Sequence, residues 1–153
     1  MAKTNQAPLF VRVSNTLTMT LLRAGVKLFG PGHYPMYLLT VRGRKSGLPR
    51  TVPIVMWEHH GKRYVGSVYG IVDWVRNLRT TKEAILTRGR RSEMVNVIEL
   101  PQKEAALVLR EDIQGGNPFA RSYGVTADAS LEAFECAVLT HPIFLFESRE
   151  SSR

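Results

Sequence analysis

From residue 36 onward, turns that contain glycine divide the sequence into short apolar runs, and this pattern limits the fold more than any other feature. The runs are rich in β-branched and aromatic residues, which favour strands. Two of the turns, His59-His60-Gly61-Lys62 and Gly89-Arg90-Arg91-Ser92, are short enough to join antiparallel neighbours. Long helices do not alternate with the strands, which disfavours a doubly wound parallel sheet. We predict a mainly antiparallel β protein with helices (α+β), closed as a barrel.

The predicted elements suggest one barrel with an N-terminal extension. The strands cover residues 36–41, 51–57, 63–69, 83–87, 93–100 and 143–146, and the helices cover 8–29, 72–80, 104–112 and 128–137. We therefore divide the chain into an N-terminal amphipathic helix and linker (1–35), a barrel (36–148) and a frayed tail (149–153).

The first predicted helix allows two interpretations. Apolar residues recur every three or four positions, as on one face of a helix, at Phe10, Val13, Leu17, Leu21, Ala24 and Leu28. Gly30-Pro31-Gly32 is expected to end the helix. Its apolar face either packs on the core of the domain or lies on a membrane surface, where its basic residues would meet anionic lipid.

The excess of positive charge lies in the first third of the chain. Residues 1–57 contain eight basic residues and no acidic one, whereas residues 58–153 contain thirteen of each, so that the net charge is +8. Such a field attracts phosphates, polyanionic cofactors, nucleic acid or an anionic membrane. We expect no nucleic-acid partner, because the basic stretches lack interleaved aromatic residues and no helix-turn-helix pattern is present.

Cysteine content and hydropathy bear on the cellular compartment. Cys136 is the only cysteine, which excludes an internal disulfide and suits a cytoplasmic protein. No apolar run is long enough to span a bilayer, and the first residues lack the pattern of a secretory signal. We predict a cytoplasmic protein, with peripheral membrane contact through residues 8–29 as the alternative.

The stretch Gly43-Arg44-Lys45-Ser46-Gly47-Leu48-Pro49-Arg50-Thr51 collects three cations, two hydroxyls and two glycines in one predicted turn. Arginine grips phosphate or carboxylate with two parallel hydrogen bonds, lysine adds a point charge, and hydroxyls donate to anion oxygens. The glycines are expected to leave backbone N–H groups free for a ligand. The glycine spacing of a P-loop is absent. The stretch is therefore either an anion cradle or a solvated basic turn.

A second stretch combines a strand end with a helix start. Gly66-Ser67-Val68-Tyr69-Gly70 is followed by Asp73-Trp74-Val75-Arg76-Asn77-Leu78-Arg79. Small residues at a strand end can expose backbone to a flat ring, and helix N-termini favour anions. The alternative is that Trp74 and Leu78 form a core pair, four residues apart.

The remaining chemistry-bearing residues indicate no other kind of site. Histidines occur at positions 33, 59, 60 and 141 without metal-ligand spacing, so we predict no metal site. No Gly-x-Ser-x-Gly elbow or carboxylate pair suggests a hydrolase. Tyr123, in a glycine-flanked loop, either closes over a ligand or caps the barrel.

Together these stretches resemble the deazaflavin-dependent nitroreductase family of actinobacteria, a branch of the flavin and deazaflavin oxidoreductases with the split β-barrel, FMN-binding-like fold. Thr40 to Pro53 (TVRGRKSGLPRTVP) carries the most specific likeness, and GSVYG and DWVRNLR follow in the order and approximate spacing of the family. The sequence departs from the nitroreductase pattern at Val68, where a basic residue is usual. It also has a shorter loop between Gly70 and Trp74 and a reduced tyrosine-rich region. It therefore resembles a less-studied subgroup with a basic N-terminal helix.

The resemblance implies coenzyme F420, a deazaflavin, as the cofactor, with FMN as the alternative. The implied cofactor-binding residues are Arg44, Lys45, Ser46, Arg50, Thr51, Val52, Pro53, Ile54, Val55, Met56, Gly66, Ser67, Val68, Trp74, Val75, Arg76, Asn77 and Leu78. The first five would hold the phosphate and acidic tail, and the others would surround the ring system or close the site. The catalytic proton donor is unknown, with Tyr123 and Ser67 as weak candidates.

The function that follows from the resemblance is hydride transfer to an electron-poor, hydrophobic small molecule such as a quinone, an enone or a conjugated lipid. One alternative is a non-catalytic cofactor- or fatty-acid-binding protein at the membrane, and another is an FMN-binding relative. Split-barrel relatives are often dimers, so a homodimer is also an expectation.

Overall fold

The computed structural model describes residues 9–29 and 34–149. Its helices are α1 (Leu9–Arg23), α2 (Asp73–Thr81), α3 (Gln102–Gln114), α4 (Ala120–Tyr123) and α5 (Leu131–Thr140). Its strands are β1 (Met36–Arg42), β2 (Pro49–Val55), β3 (Trp57–His59), β4 (Lys62–Gly66), β5 (Glu83–Arg88), β6 (Arg91–Glu99) and β7 (Ile143–Ser148). In the described part of the chain, no helix is long and apolar enough to cross a membrane.

The strands form one antiparallel sheet in the order β2-β1-β5-β6-β7-β4-β3. β2 and β3 lie at opposite edges of the sheet, yet only Met56 separates them in the sequence. The two edges must therefore come together at Met56, and the sheet curls to allow this. The mainly antiparallel split barrel with helices, predicted from the sequence, is confirmed.

Two hydrophobic clusters lie on either side of the curled sheet. The inner cluster takes alternate residues of the strands and is capped by α2; it comprises Leu39, Val41, Ile54, Met56, Val65, Val75, Leu78, Ala84, Leu86, Val95, Val97, Phe144 and Phe146. The outer cluster joins α3 and α5 to β3, β4 and β7, and includes Trp57, Tyr64, Phe134 and Leu145. Period-two alternation explains how β7 supplies Phe144 and Phe146 to one cluster and Ile143 and Leu145 to the other.

The N-terminal helix is shorter than predicted. It ends at Arg23 because Gly25 adopts a left-handed conformation with φ +86°. Val26 N–H donates to Leu21 C=O (3.1 Å) and Gly25 N–H to Leu22 C=O (3.1 Å), the pattern of a Schellman helix end. Phe29 then forms a β-bridge with Pro35, whereas the predicted stop at residues 30–32 lies outside the described residues.

The predicted core stripe of this helix is also wrong in part. Leu17 and Leu21 are exposed, at 64% and 37%, and Ala24 is exposed as well. Leu22, beside the stripe, is buried instead where α1 packs on β1 and β2. Sequence periodicity locates an apolar stripe but does not identify which adjacent residue the neighbouring strands cover.

Several other boundaries differ from the prediction. The run 51–57 divides into β2 and β3, and the run 63–69 ends as a strand at Gly66, so the described residues form seven strands rather than the six predicted. α5 begins three residues late because the Ser130 hydroxyl caps it, accepting from Ala133 N–H at 3.2 Å. The short helix α4 was predicted as loop.

Candidate functional site

Two adjoining cavities lie where β2, the end of β4 and the start of α2 meet. One is a surface cleft along the bend 43–51, lined also by Arg23, Asp73 and Asn77. The other is a largely apolar cavity of about 240 Å³. The side chain of Trp74 lines both, and consecutive β2 residues, Val52 and Pro53, line one each. The two cavities are thus neighbours with different chemistry.

Internal hydrogen bonds hold the bend in shape. Gly43 N–H donates to Leu48 C=O (2.8 Å), Gly47 N–H donates to Gly43 C=O (2.9 Å), and Leu48 N–H donates to the Ser46 hydroxyl (3.2 Å). A Cβ on Gly43 would lie 2.8 Å from the Ser46 hydroxyl oxygen and 3.2 Å from Leu48 C=O, so a side chain at this position would displace the Ser46 hydroxyl. The expectation that both glycines leave free N–H groups is therefore wrong. The backbone donors without a partner among the described residues are those of Lys45 and Ser46.

The cations of the bend differ in their partners. The backbone N–H and the guanidinium of Arg44 donate to the buried side-chain carbonyl of Asn77, at 3.1 and 2.8 Å, and the guanidinium also reaches Asp73 at 3.3 Å. These contacts fasten the bend to the first turns of α2. Lys45, Arg50 and Arg23 make no ion pair with a described residue, although all three line the cleft. The cleft therefore presents three uncompensated cations to an anion.

The apolar cavity is bounded by β2, the segment after β4 and the loop before α4. Its lining includes Pro53, Ile54, Val55, Val65, Gly66, Val68, Tyr69, Trp74 and Phe119. Apolar walls with a few polar groups are typical of sites for flat organic ligands. Trp57, also at this cavity, has an indole Nε1 that is buried without a partner among the described residues.

Gly66 and Tyr123 are in unusually close contact at the cavity wall. A Cβ built on Gly66 would lie 2.0 Å from the Tyr123 hydroxyl oxygen, which leaves no room for any other residue. Tyr123 is buried, and its hydroxyl makes no hydrogen bond to a described residue. Burial, and then the charge of Asp112, raise the pKa of Tyr123, so its phenol stays protonated at neutral pH.

A buried polar network lies behind the same cavity. Asp112 accepts hydrogen bonds from the Tyr34 hydroxyl (3.1 Å) and from the Asn117 amide, and Asn117 in turn accepts from Phe119 N–H at 2.7 Å. Burial and the adjacent carboxylate raise the pKa of Tyr34 to about 12. Burial also raises the pKa of Asp112, although its two hydrogen bonds act in the opposite direction. The network fixes Tyr34 and Asn117 at the cavity wall.

The polar groups of Ser67 all form hydrogen bonds within the local structure. Its hydroxyl donates to Gly70 C=O, and its own backbone groups are bonded to Pro142 C=O and to the His141 ring at 3.0 and 3.2 Å. Burial lowers the pKa of His141, whose ring also packs edge-on against Tyr123. Ser67 therefore shapes the turn at the cavity more than it offers a transferable proton.

The structure brings most of the predicted cofactor-binding residues to these two cavities. Arg44, Lys45, Ser46, Arg50, Thr51, Val52 and Asn77 line the cleft; Pro53, Ile54, Val55, Gly66, Ser67 and Val68 line the apolar cavity; Trp74 lines both. Met56, Val75 and Leu78 are buried in the inner cluster, and Arg76 is half-exposed beside Asp73. These four side chains line neither cavity.

Sequence reasoning missed several residues of the apolar cavity, namely Tyr34, Met36, Trp57, Tyr69, Asn117 and Phe119. They come from segments far apart in the sequence. A weak signal was present in Gly115-Gly116-Asn117-Pro118, where a side-chain amide follows two glycines, but the sequence does not reveal that Asn117 is buried.

The F420H(2)-dependent quinone reductase family model matches residues 15–131. A solved structure described as an F420-H2 dependent reductase, FDR-A, is similar with a TM-score of 0.53 and 22% identity over 73% of this chain and 93% of that chain. A structure described as a domain-swapped dimer has a TM-score of 0.55 and 21% identity, over 90% of this chain and 97% of that chain. A protein of the pyridoxinephosphate oxidase family from Clostridium acetobutylicum has a TM-score of 0.51 and 12% identity, over 91% of this chain and 83% of that chain. These structural likenesses concern the fold alone. No curated protein matches the chain significantly.

Proposed function

Because the chain belongs to the F420H(2)-dependent quinone reductase family, and is therefore an F420-dependent oxidoreductase, we propose that it reduces a flat, apolar, electron-poor molecule such as a quinone, an enone or a conjugated lipid. The observation that carries this proposal is the pair of adjoining cavities, one cationic and one apolar, that share Trp74. A cofactor with an anionic tail and a flat ring would use both cavities at once.

The residues of the two cavities fit the two ends of coenzyme F420. Lys45, Arg50 and the N–H groups of Lys45 and Ser46, which have no partner among the described residues, would bind the phosphate and acidic tail, while Arg44, bonded to Asn77, would hold the bend in place. Thr51, whose hydroxyl is 2.9 Å from that of Thr40, would extend the same surface. The segments 53–55 and 66–68 would contact the ring, and Met56, Val75 and Leu78 would support these segments from the core.

Hydride is the chemistry that reduced F420 supplies when bound. The chain's own contribution is to hold an acceptor in the apolar cavity and to keep water away from it. Reduction of a quinone to a hydroquinone consumes one hydride and one proton. Because burial raises the pKa of Tyr123, its phenol would be a poor acid there, and we infer that water at the mouth of the cavity, rather than Tyr123, would supply this proton.

Two measurements test this function. Equilibrium binding should show that the chain prefers F420 to FMN, and F420H2 should be oxidised when menadione, a simple quinone, is added. Preference for FMN would favour the flavin-binding relative instead. Binding of F420 without turnover for quinone, enone or conjugated fatty acid would favour the non-catalytic carrier.

We expect Lys45→Ala and Arg50→Ala each to weaken F420 binding by roughly tenfold to a hundredfold, because each removes about 1.5–3 kcal/mol of charge-assisted hydrogen bonding. Lys103→Ala, which removes an equal charge from the exposed side of α3, is the control and should bind as the parent does. Unchanged affinity in both cleft variants would show that the anionic tail binds elsewhere, even if F420 itself binds.

Membrane contact and self-association belong to the same proposal. Exposed apolar side chains at Leu17, Leu21 and Phe29, with Arg23 and Lys27 between them, support peripheral contact with an anionic membrane. Exposed Ile85, Met94 and Ile98 on the outer face of β5 and β6, and the structural neighbour described as a domain-swapped dimer, support a homodimer.

A further inference from the structure

Two imidazoles and a carboxylate converge at the tip of the β3–β4 hairpin. One ring nitrogen from each of His59 and His60 and one carboxylate oxygen of Glu111 all lie within 4.8 Å of one another. Glu111 bonds the His59 ring, and its Oε2 lies 4.0 Å from His60 Nε2. The two rings meet edge to face, with centroids 4.0 Å apart. None of these three residues lines the cleft or the apolar cavity described above.

The backbone explains how adjacent histidines come to face the same point. Consecutive residues of a strand normally point to opposite faces of the sheet. His60, however, leaves the strand at the first position of a two-residue turn, with φ +51°, and Gly61 follows with φ +74°. Such turns usually carry Asn, Asp or Gly at the first position and Gly at the second. The left-handed conformation at His60 is what allows its ring to meet that of His59.

The third donor comes from a rigid element. Glu111 lies in the last turn of α3, directly before two residues whose side chains are in the protein interior. Its neighbours Asp112 and Ile113 are buried, so the backbone at Glu111 is fixed relative to the barrel. Half of the Glu111 side chain is exposed, and the His59 side chain is one quarter exposed. The three donors are therefore accessible from solvent but anchored on two elements that are about fifty residues apart in sequence.

We propose that His59, His60 and Glu111 bind a divalent transition-metal ion, with Zn²⁺ as the best match. Two imidazoles and one carboxylate are a donor set that Zn²⁺ takes in proteins, usually with water in the fourth position. Donors within 4.8 Å of one another need only side-chain rotation to reach a common ion at about 2.0–2.2 Å. The ion would link the hairpin tip to α3. Because it binds only the folded chain, it would raise the apparent free energy of unfolding.

The open geometry predicts a modest affinity. His60 is 81% exposed, so the fourth side of the ion faces water rather than a closed protein cage. We expect one Zn²⁺ per chain with a dissociation constant in the micromolar range, and a melting temperature that rises with free Zn²⁺. Co²⁺ in place of Zn²⁺ should give visible d–d absorption bands that report ligand number and geometry.

The test uses the full chain without a histidine tag, stripped with a chelator and titrated with Zn²⁺ by calorimetry. His60→Asn removes an imidazole but keeps a residue that tolerates the left-handed backbone, so the hairpin should remain folded. Glu111→Gln removes the carboxylate. Each should weaken Zn²⁺ binding at least about tenfold, because loss of a group that only supports a ligand already costs about this much and these residues are the ligands themselves. Glu104→Gln, on the same helix and outside the cluster, is the control for charge and should bind Zn²⁺ like the parent.

The inference is overturned if the parent binds no more tightly than Glu111→Gln, which would leave the cluster as an ordinary histidine–carboxylate contact. It is equally overturned if His60→Asn binds Zn²⁺ like the parent, since the three-donor site would then not exist. Circular dichroism of the metal-free variants separates loss of ligand from loss of fold. None of these readouts requires F420, so the result is independent of the redox function.

Discussion

At the scale of single residues, the contact between Gly66 and Tyr123 decides the shape of the apolar cavity. Gly66 ends β4, and Tyr123 belongs to the short helix α4, so the two meet only in the folded chain. The phenol occupies the space that any side chain at position 66 would need. The absence of a Cβ at Gly66 is therefore a requirement of packing rather than of backbone conformation.

We expect Gly66→Ala to destabilise the fold by about 1–3 kcal/mol, because the new methyl group forces Tyr123 out of its position. Tyr123→Phe removes the clashing oxygen, so the double variant should recover part of this loss; contact with the ring carbon and with Ile143, both 3.1 Å away, prevents full recovery. Urea unfolding of the four proteins measures the coupling. Additive effects of the two substitutions would contradict the contact.

The bend shows how far residue-level reasoning reaches. The three cations and two hydroxyls at positions 44–51 do line one cleft. The prediction that Gly43 and Gly47 supply free N–H groups was wrong, because both N–H groups form hydrogen bonds within the bend. The backbone N–H groups without a partner among the described residues are instead those of Lys45 and Ser46. The composition of a turn indicates its ligand chemistry, whereas its hydrogen bonds can be assigned only from coordinates.

At the scale of elements, the N-terminal helix leaves part of its apolar stripe uncovered. Leu22 packs against the barrel while Leu17 and Leu21, on an adjacent face, remain exposed. Arg23 and Lys27 follow closely, and residues 1–57 have no acidic residue to offset them. An apolar face flanked by basic residues is the combination expected of a helix at an anionic lipid surface.

If this face contacts lipid, the parent should sediment with vesicles containing phosphatidylserine, and added salt should weaken the binding. Leu17→Gln combined with Leu21→Gln should abolish most of the binding, since both changes remove apolar area that the membrane would bury, while they preserve helix propensity. Leu139→Gln on α5, where the parent residue is 61% exposed, is the matched control. Equal sedimentation of the double variant and the control would argue against membrane contact.

At the scale of the whole molecule, one polar cluster ties three neighbouring strands of the barrel together. The Arg63 guanidinium on β4 bonds Glu93 on β6, and both bond the Ser148 hydroxyl on β7 at 2.9 Å. The hydrogen bond from Arg63 holds the pKa of Glu93 below its ordinary value of 4.5. A carboxyl whose pKa is lowered by folding stabilises the folded chain at every pH above its pKa in the unfolded chain. This contribution is lost as the pH falls through its pKa in the folded chain.

Glu93→Gln should therefore cost about 1 kcal/mol at pH 7, a value limited by the partial exposure of the pair. The difference between parent and variant should shrink as the pH is lowered below 4.5 and through the depressed pKa of Glu93, because Glu93 then becomes neutral in the parent too. Urea denaturation across this pH range is the measurement. Glu147→Gln on β7 is the control, and a pH-independent difference for Glu93→Gln would contradict the assignment.

The sequence by itself determined the class of fold, the position of most strands and the cationic bend. These features depend on residues within a few positions of one another: the alternation of a strand, the glycine of a turn, the charge of a short segment. The same locality explains the errors at Leu21 and at residues 51–57, where neighbouring strands and the closure at Met56 decided the outcome.

Only the tertiary structure decided which distant residues share a site. Tyr34, Asn117 and Phe119 join β2 at the apolar cavity, and Glu111 meets two histidines that showed no metal-ligand spacing along the chain. The physical reason is that such contacts follow from the order of strands in the sheet and from the packing of helices upon it. Neither is encoded in the spacing of the residues that finally touch.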